Sequence, residues 1–180
     1  MSVKVFVIVA TFLGKSFGLP FDSNTSAIVR TELPDIHKPV TLGSTPYLPL
    51  LKFNDTVYYY GVILGGTAAQ VELFCSYHNM QLVSIQTFEE SQNLIAGLES
   101  FLQVTENMVF WTSGKKFGNS WRWESTGRPA HYTNWAKGEP NNSGGNETCI
   151  EVLFNSALKT LEWNDKNCEA VNYFICESRD

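Results

Sequence analysis

The chain lacks any stretch long and apolar enough to span a bilayer. Its N-terminal apolar run, Val5 to Leu13, falls well short of the roughly 20 residues that a spanning helix needs. It also lacks a basic patch. No cluster exceeds the pair Lys115-Lys116, so the electrostatic footprint of a nucleic-acid binder is missing, and no such partner is expected. There is no Cys-x-x-Cys pair, which argues against a zinc framework. His37, His78 and His131 show no metal-ligand spacing. His78 falls among apolar residues of a helical pattern and reads as structural. Gly65-Gly66 precedes a helix but lacks the other glycines of a phosphate loop. No internal repeat is present.

What is there suits a secreted globular domain. Of the 180 residues, 43% are hydrophobic and 13% aromatic, enough to build a core. The opening "MSVKVFVIVATFLGKSFG" has an early lysine, a short apolar run and small residues at Ser16 and Gly18, the pattern of a secretory signal over residues 1–18. Its removal takes Lys4 and Lys15, leaving 11 basic residues against 18 acidic ones and moving the net charge from -5 to -7. The mature protein is expected to be soluble and extracellular. Four cysteines, Cys75, Cys149, Cys168 and Cys176, form an even set in an oxidising compartment. That predicts two disulfides, for which spacing allows three connectivities and leaves no thiol to link subunits.

Residues 19–52 read as a linker, because five of the seven prolines fall there. Such a segment is extended and cannot carry the continuous helix of a coiled-coil neck. Order is expected from near Phe53, giving a domain over 53–180. "TVYYYGVI" is aromatic and β-branched and reads as a strand. Thr67-x-x-Gln70 and Thr87-x-x-Glu90 are capping boxes, the first opening a helix over about 68–79 and the second a helix to about 102. "QLVSI" lies between them as a short strand. From residue 108 onward "MVFWTSG", "SWRWES", "CIEVLF", "LEWND" and "NYFICE" are short strand-like pieces separated by Gly, Asn and Pro. All five tryptophans fall between Trp111 and Trp163, where they build the core and brace loops. The order of elements predicts an α+β domain with an antiparallel sheet.

The chemistry concentrates in "KGEPNNSGGNETC", Lys137 to Cys149. Glu139, Asn141 and Glu147 carry oxygen ligands of the type a hard cation selects. Calcium takes six to eight of them, more than one loop supplies. "LEWNDKNC" adds Asn164 and Asp165. Glu147 is two residues before Cys149, and Asp165 is three before Cys168. A bond between those cysteines would pin both segments together, stabilising by about 3 kcal/mol. Asn142 to Asn146 carries no assigned task beyond reaching from one ligand to the next.

At these residues the chain resembles the C-type lectin carbohydrate-recognition domain. The resemblance covers roughly Phe53 to Asp180 and rests on Glu139-Pro140-Asn141, on Glu147 before a cysteine, on Trp163-Asn164-Asp165 and on the final "YFICE". It implies the C-type lectin fold, with two helices packed on antiparallel sheets and a long calcium-binding loop region. It implies the pairings Cys75–Cys176 and Cys149–Cys168 and a cis peptide before Pro140. It implies that Glu139, Asn141, Glu147, Asn164 and Asp165 bind one principal Ca2+ and, with it, two neighbouring sugar hydroxyls. In the family, Glu-Pro-Asn accompanies mannose, glucose, N-acetylglucosamine and fucose, whereas Gln-Pro-Asp accompanies galactose. Glycans with mannose-type terminal sugars are therefore the expected partners.

An auxiliary calcium is expected to be absent, since Asn142, Thr148, Lys115 and Asn119 stand where its acids would be wanted. Sequons begin at Asn24, Asn54, Asn141 and Asn146. Asn24 and Asn54 are the glycosylation candidates, and a ligand role requires Asn141 to be bare. Glu147 and Asp165 are not expected to act as a glycosidase pair, because calcium ligands are unavailable as proton shuttles. No enzymatic activity is expected. The rival reading is a C-type-lectin-like module that binds protein, with calcium in a structural role. A single shallow site binds a monosaccharide at about millimolar affinity, so useful binding needs multivalency. A homodimer or association with another secreted lectin would supply it. The resemblance extends to small secreted single-domain invertebrate lectins, which suggests pathogen or cell-surface recognition in innate immunity; a role in reproduction or development fits the residues equally well.

Overall fold

The computed structural model describes residues 50–100 and 102–178. The signal expected at 1–18, most of the linker expected at 19–52, His37 and the sequon at Asn24 lie outside them. The domain starts slightly earlier than Phe53. Strand β1, Leu50–Phe53, lies partly within the linker range. Its alternate residues Leu51 and Phe53 pack on the core, and it pairs antiparallel with β2, Thr56–Gly66.

Helix α1, Ala68–Tyr77, opens on the expected capping box. The Gln70 N–H donates to Thr67 Oγ1 at 3.4 Å, and the Thr67 N–H donates to Gln70 Oε1 at 3.0 Å. Both bonds satisfy donors that a helix start leaves free. The helix stops two residues short of the expected end, because Asn79 takes a left-handed conformation (φ 56) and turns the chain into β3, Met80–Leu82. His78 caps this end and packs on Phe74, ring centroids 4.5 Å apart. Helix α2, Phe88–Ser100, is capped the same way by Thr87 and Glu90. It approaches β2 closely at Gly97, where a Cβ would lie 2.3 Å from the Tyr60 hydroxyl. That hydroxyl donates to Leu94 O.

Strands β4 (Met108–Phe117), β5 (Ser120–Trp123), β6 (Cys149–Asn155), β7 (Thr160–Lys166) and β8 (Asn172–Ser178) complete the domain. The sheet runs β1-β2-β8-β4-β6-β7, with β3 on β8 and β5 on β4. Every pairing is antiparallel except β4–β8, where Phe110 and Trp111 face Tyr173 and Phe174 in parallel.

The central strands are buried on both faces, so "FIC" in β8 reads as a continuous apolar run rather than an alternation. Successive side chains point to opposite faces. Phe174 and Cys176 join Trp111, Val71 and Cys75 of α1 in one cluster. Ile175 joins Phe110, Leu94 and Leu98 of α2 in the other. Each such side chain, fully buried, contributes about 1.5–3 kcal/mol. The disulfides are Cys75–Cys176 and Cys149–Cys168, the pairing the resemblance implied. Among the described residues no helix is long and apolar enough to cross a membrane.

Candidate functional site

Between β5 and β6 the stretch from Glu124 to Thr148 contains only two isolated bridges, Arg122–Pro129 and Trp135–Trp163, and a single 3-10 turn, Ser143–Gly145. A long irregular segment inside a compact domain is usually functional. This one is tied down along β7. The Trp163 N–H donates to Asn134 O and the Ala136 N–H to Trp163 O, both at 2.8 Å. Asn134 Nδ2 donates to Leu161 O at 2.7 Å. Trp163 is fully buried. It meets Trp123, Tyr132 and Trp135 edge-on at 5.2, 5.7 and 5.5 Å, a geometry aromatic pairs prefer. Trp121 stands against Trp135 at 5.1 Å. Four of the tryptophans thus brace the loop, and Trp111 instead donates to Gly66 O.

From this anchor the chain turns. The Glu139 N–H donates to Ala136 O at 3.0 Å, with Gly138 at φ 95 in the turn position that needs positive φ. The Glu139–Pro140 peptide is cis. The next two N–H groups grip one carboxylate. Asn141 N donates to Asp165 Oδ1 and Asn142 N to Asp165 Oδ2, both at 2.9 Å. Asp165 itself has no exposed surface. Asn141 Nδ2 donates to Glu139 Oε1 at 2.9 Å. The Ser143 N–H lies 2.7 Å from both Asn141 Oδ1 and Glu147 Oε2.

Glu139, Asn141, Glu147 and Asp165 therefore sit in one network. Asn164 adjoins it through the chain but is bonded elsewhere, its Nδ2 donating to Glu151 Oε1 at 2.7 Å.

Glu139 Oε2 is buried and has no hydrogen-bond partner. A buried acceptor left bare is costly, and a cation bound by that oxygen would remove the cost. The carboxylates do not form a metal cage alone: among the described residues no three His, Cys, Asp or Glu side chains stand together as a metal group. The asparagine oxygens are needed to complete a set of oxygen donors, so the residues present fit a hard ion bound by a mixed carboxylate–amide set. Lys115 does not contribute. Burial opposes its charge, but Glu124 and Glu72 outweigh that and hold its pKa above the usual lysine value.

The model of the lectin C-type domain matches residues 66–178, more than half of the chain. The chain belongs to the C-type lectin domain family. E-selectin of Oryctolagus cuniculus is 32% identical over 71% of this lectin chain, which spans only 22% of that relative's length. A C-type lectin mannose-binding isoform of Oxyuranus scutellatus is 33% identical, the match covering 60% of this chain and 68% of the relative. The human scavenger receptor C-type lectin carbohydrate-recognition domain superposes with a TM-score of 0.61 at 29% identity, over 76% of this chain and all of that one. Domains of this family are typically non-enzymatic binding modules and generally bind Ca2+.

Two residues of this network and its surroundings escape the sequence reading. Asn142 is not filler. It holds φ 49, a conformation asparagine tolerates, and its Oδ1 accepts the Glu147 N–H at 3.1 Å. The signal was present, since asparagine followed by Ser-Gly-Gly marks tight turns. Glu151 gave no signal, because its partners are remote in sequence. Of the sequons, Asn54 lies exposed in the β1–β2 turn, its Nδ2 3.3 Å from Glu89 Oε1. Asn141 and Asn146 are also exposed.

Proposed function

We propose that this lectin domain binds mannose-type sugars (mannose, glucose, N-acetylglucosamine or fucose) on glycans outside the cell, through one principal calcium. The observation that carries this reading is the bare, buried Glu139 Oε2 within a network of four oxygen-bearing side chains. Glu139, Asn141, Glu147, Asn164 and Asp165 would hold the ion. Bound calcium would supply coordination positions for two neighbouring sugar hydroxyls. The protein groups do the rest. Glu139 and Glu147 accept the hydroxyl protons. Asn141 and Asn164 donate amide N–H groups to the hydroxyl oxygens. Asparagine suits both because its oxygen binds metal while its nitrogen donates. Asn164 commits one N–H to Glu151 and keeps the other for a hydroxyl.

Glu-Pro-Asn rather than Gln-Pro-Asp assigns the mannose-type order of acceptor and donor. Binding at a microbial or cell surface then requires several domains together, as a homodimer or with another secreted lectin. The alternative is a protein-binding module in which calcium is structural. It is favoured by how fully backbone N–H groups already satisfy Asp165. A solid-phase glycan assay with competing sugars tests the proposal. Mannose should inhibit more strongly than galactose, and stronger inhibition by galactose would sink it. Glu139→Gln with Asn141→Asp should reverse that order; a protein-binding module would show no such reversal.

A further inference from the structure

Glu151 is 4% exposed and lies on β6, outside the loop. Its two carboxylate oxygens each accept one amide. Asn164 Nδ2 reaches Oε1 and Asn172 Nδ2 reaches Oε2, both at 2.7 Å. Glu151 faces Asn164 directly across the β6–β7 ladder, and Asn172 opens β8. The arrangement is therefore a bridge across the sheet, set by strand register rather than by the loop.

We propose that Glu151 and Asn172 form a buried clamp that fixes which way the Asn164 amide points. Glu151 is then a positioning residue for the ion, and this inference rests on the calcium reading above. Donors and acceptors set the orientation. An asparagine amide has an oxygen that only accepts and a nitrogen that only donates, and a half-turn exchanges them. An ionised carboxylate only accepts. Beside Glu151 the Asn164 nitrogen must therefore face inward, which leaves the oxygen facing away from the clamp. A cation takes the oxygen and is repelled by the nitrogen's protons. A carboxylate satisfies two asparagines at once, whereas a glutamine offers one acceptor and one donor. In Glu151→Gln, one of the two asparagines must turn around or lose its bond, although shape and volume are unchanged.

This predicts an exchange experiment on the full chain, with calcium alone as the probe. In titration calorimetry, E151Q should bind calcium about 10-fold to 100-fold more weakly, the usual loss when a residue supporting a ligand is changed. Adding Asn172→Asp should restore binding. The new carboxylate accepts from the glutamine NH2, and the glutamine oxygen is released to accept from Asn164 again. A merely structural Glu151 would give no such rescue of affinity. Wild-type affinity in E151Q, or a double variant as weak as the single one, would overturn the clamp. The side-chain amide NMR signals of calcium-free protein separate this from the calcium reading. In the wild type, Asn164 and Asn172 should each show one slowly exchanging proton, and E151Q should lose one of the two. Unprotected amides in the wild type would overturn the clamp whether or not calcium binds. Protected amides in a chain that binds no calcium would overturn the site reading and, with it, Glu151's part in holding an ion.

Discussion

The two disulfides should separate stability from metal binding, with opposite rankings. Cys75–Cys176 closes a separation of 101 residues and Cys149–Cys168 one of 19. Loop-closure entropy assigns about 4.7 kcal/mol to the longer crosslink and about 3.2 kcal/mol to the shorter. Burial acts in the same direction, since Cys75 and Cys176 are wholly enclosed while Cys168 is half-buried. The pair C75A/C176A should therefore cost more in a urea titration run in chelator, by about 1.5 kcal/mol. Calcium should rank them the other way. Cys149 follows Glu147 by two residues, and Cys168 follows Asp165 by three, so this bond ties together the two segments proposed to hold the ion. C149A/C168A should weaken calcium binding by about 10-fold or more, the scale on which supporting groups act. Neither Cys75 nor Cys176 adjoins a proposed ligand in the chain, so C75A/C176A should leave the affinity within about twofold. Calorimetric titration checks both, and the wild type should take up one tightly held calcium per chain. Equal losses of affinity in the two variants would refute the claim that Cys149–Cys168 organises the site. Two tight ions per chain would refute the single-site assignment.

Glu177 provides a pH test. Burial, with help from Glu90, pushes its pKa from 4.5 up to about 7, against hydrogen bonds from Ser84 and Gln81. The folded state then holds a proton that the unfolded state has lost between about pH 4.5 and 7, so stability falls as pH rises through that window and levels off above it. The full effect is bounded at about 3.5 kcal/mol, from about 1.4 kcal/mol per unit. Glu177→Gln should remove that share of the pH dependence. Parallel urea midpoints for the variant and wild type at pH 5 and 8 would refute the cause. At Gly138, φ is 95 and an added Cβ would touch nothing within 4 Å. Gly138→Ala should therefore cost about 1 kcal/mol through the backbone alone and weaken calcium binding by moving Glu139. A melting temperature equal to that of the wild type would exclude the turn's role.

Local signals account for most of what the sequence made legible. Both capping boxes are carried by residues three apart, and both helices begin where those boxes place them. The aromatic and β-branched runs are strands because they pack on both faces of one sheet. Features needing a distant partner were not legible. β1 begins at Leu50, amid prolines, because Leu51 and Phe53 find a core that only the folded chain supplies. "QLVSI" forms a ladder only to Leu82, yet Val83 and Ile85 are fully buried. Their apolar character was visible, but not the end of the regular ladder, past which the Val83 N–H still donates to Ile175 O. The parallel β4–β8 contact depends on the last strand entering mid-sheet, which periodicity does not encode. At the candidate site, the residues proposed as ligands could be singled out because motif and cysteine spacing are local. The roles of Asn142 and Glu151 were not, since Glu151 is shared by Asn164 and Asn172 on two other strands.

Calcium-dependent recognition of mannose-type sugar can be decided on a mannose resin. Protein loaded in calcium should be retained and should leave when chelator replaces the calcium. Passage through the resin in calcium, or retention that persists in chelator, would contradict the account.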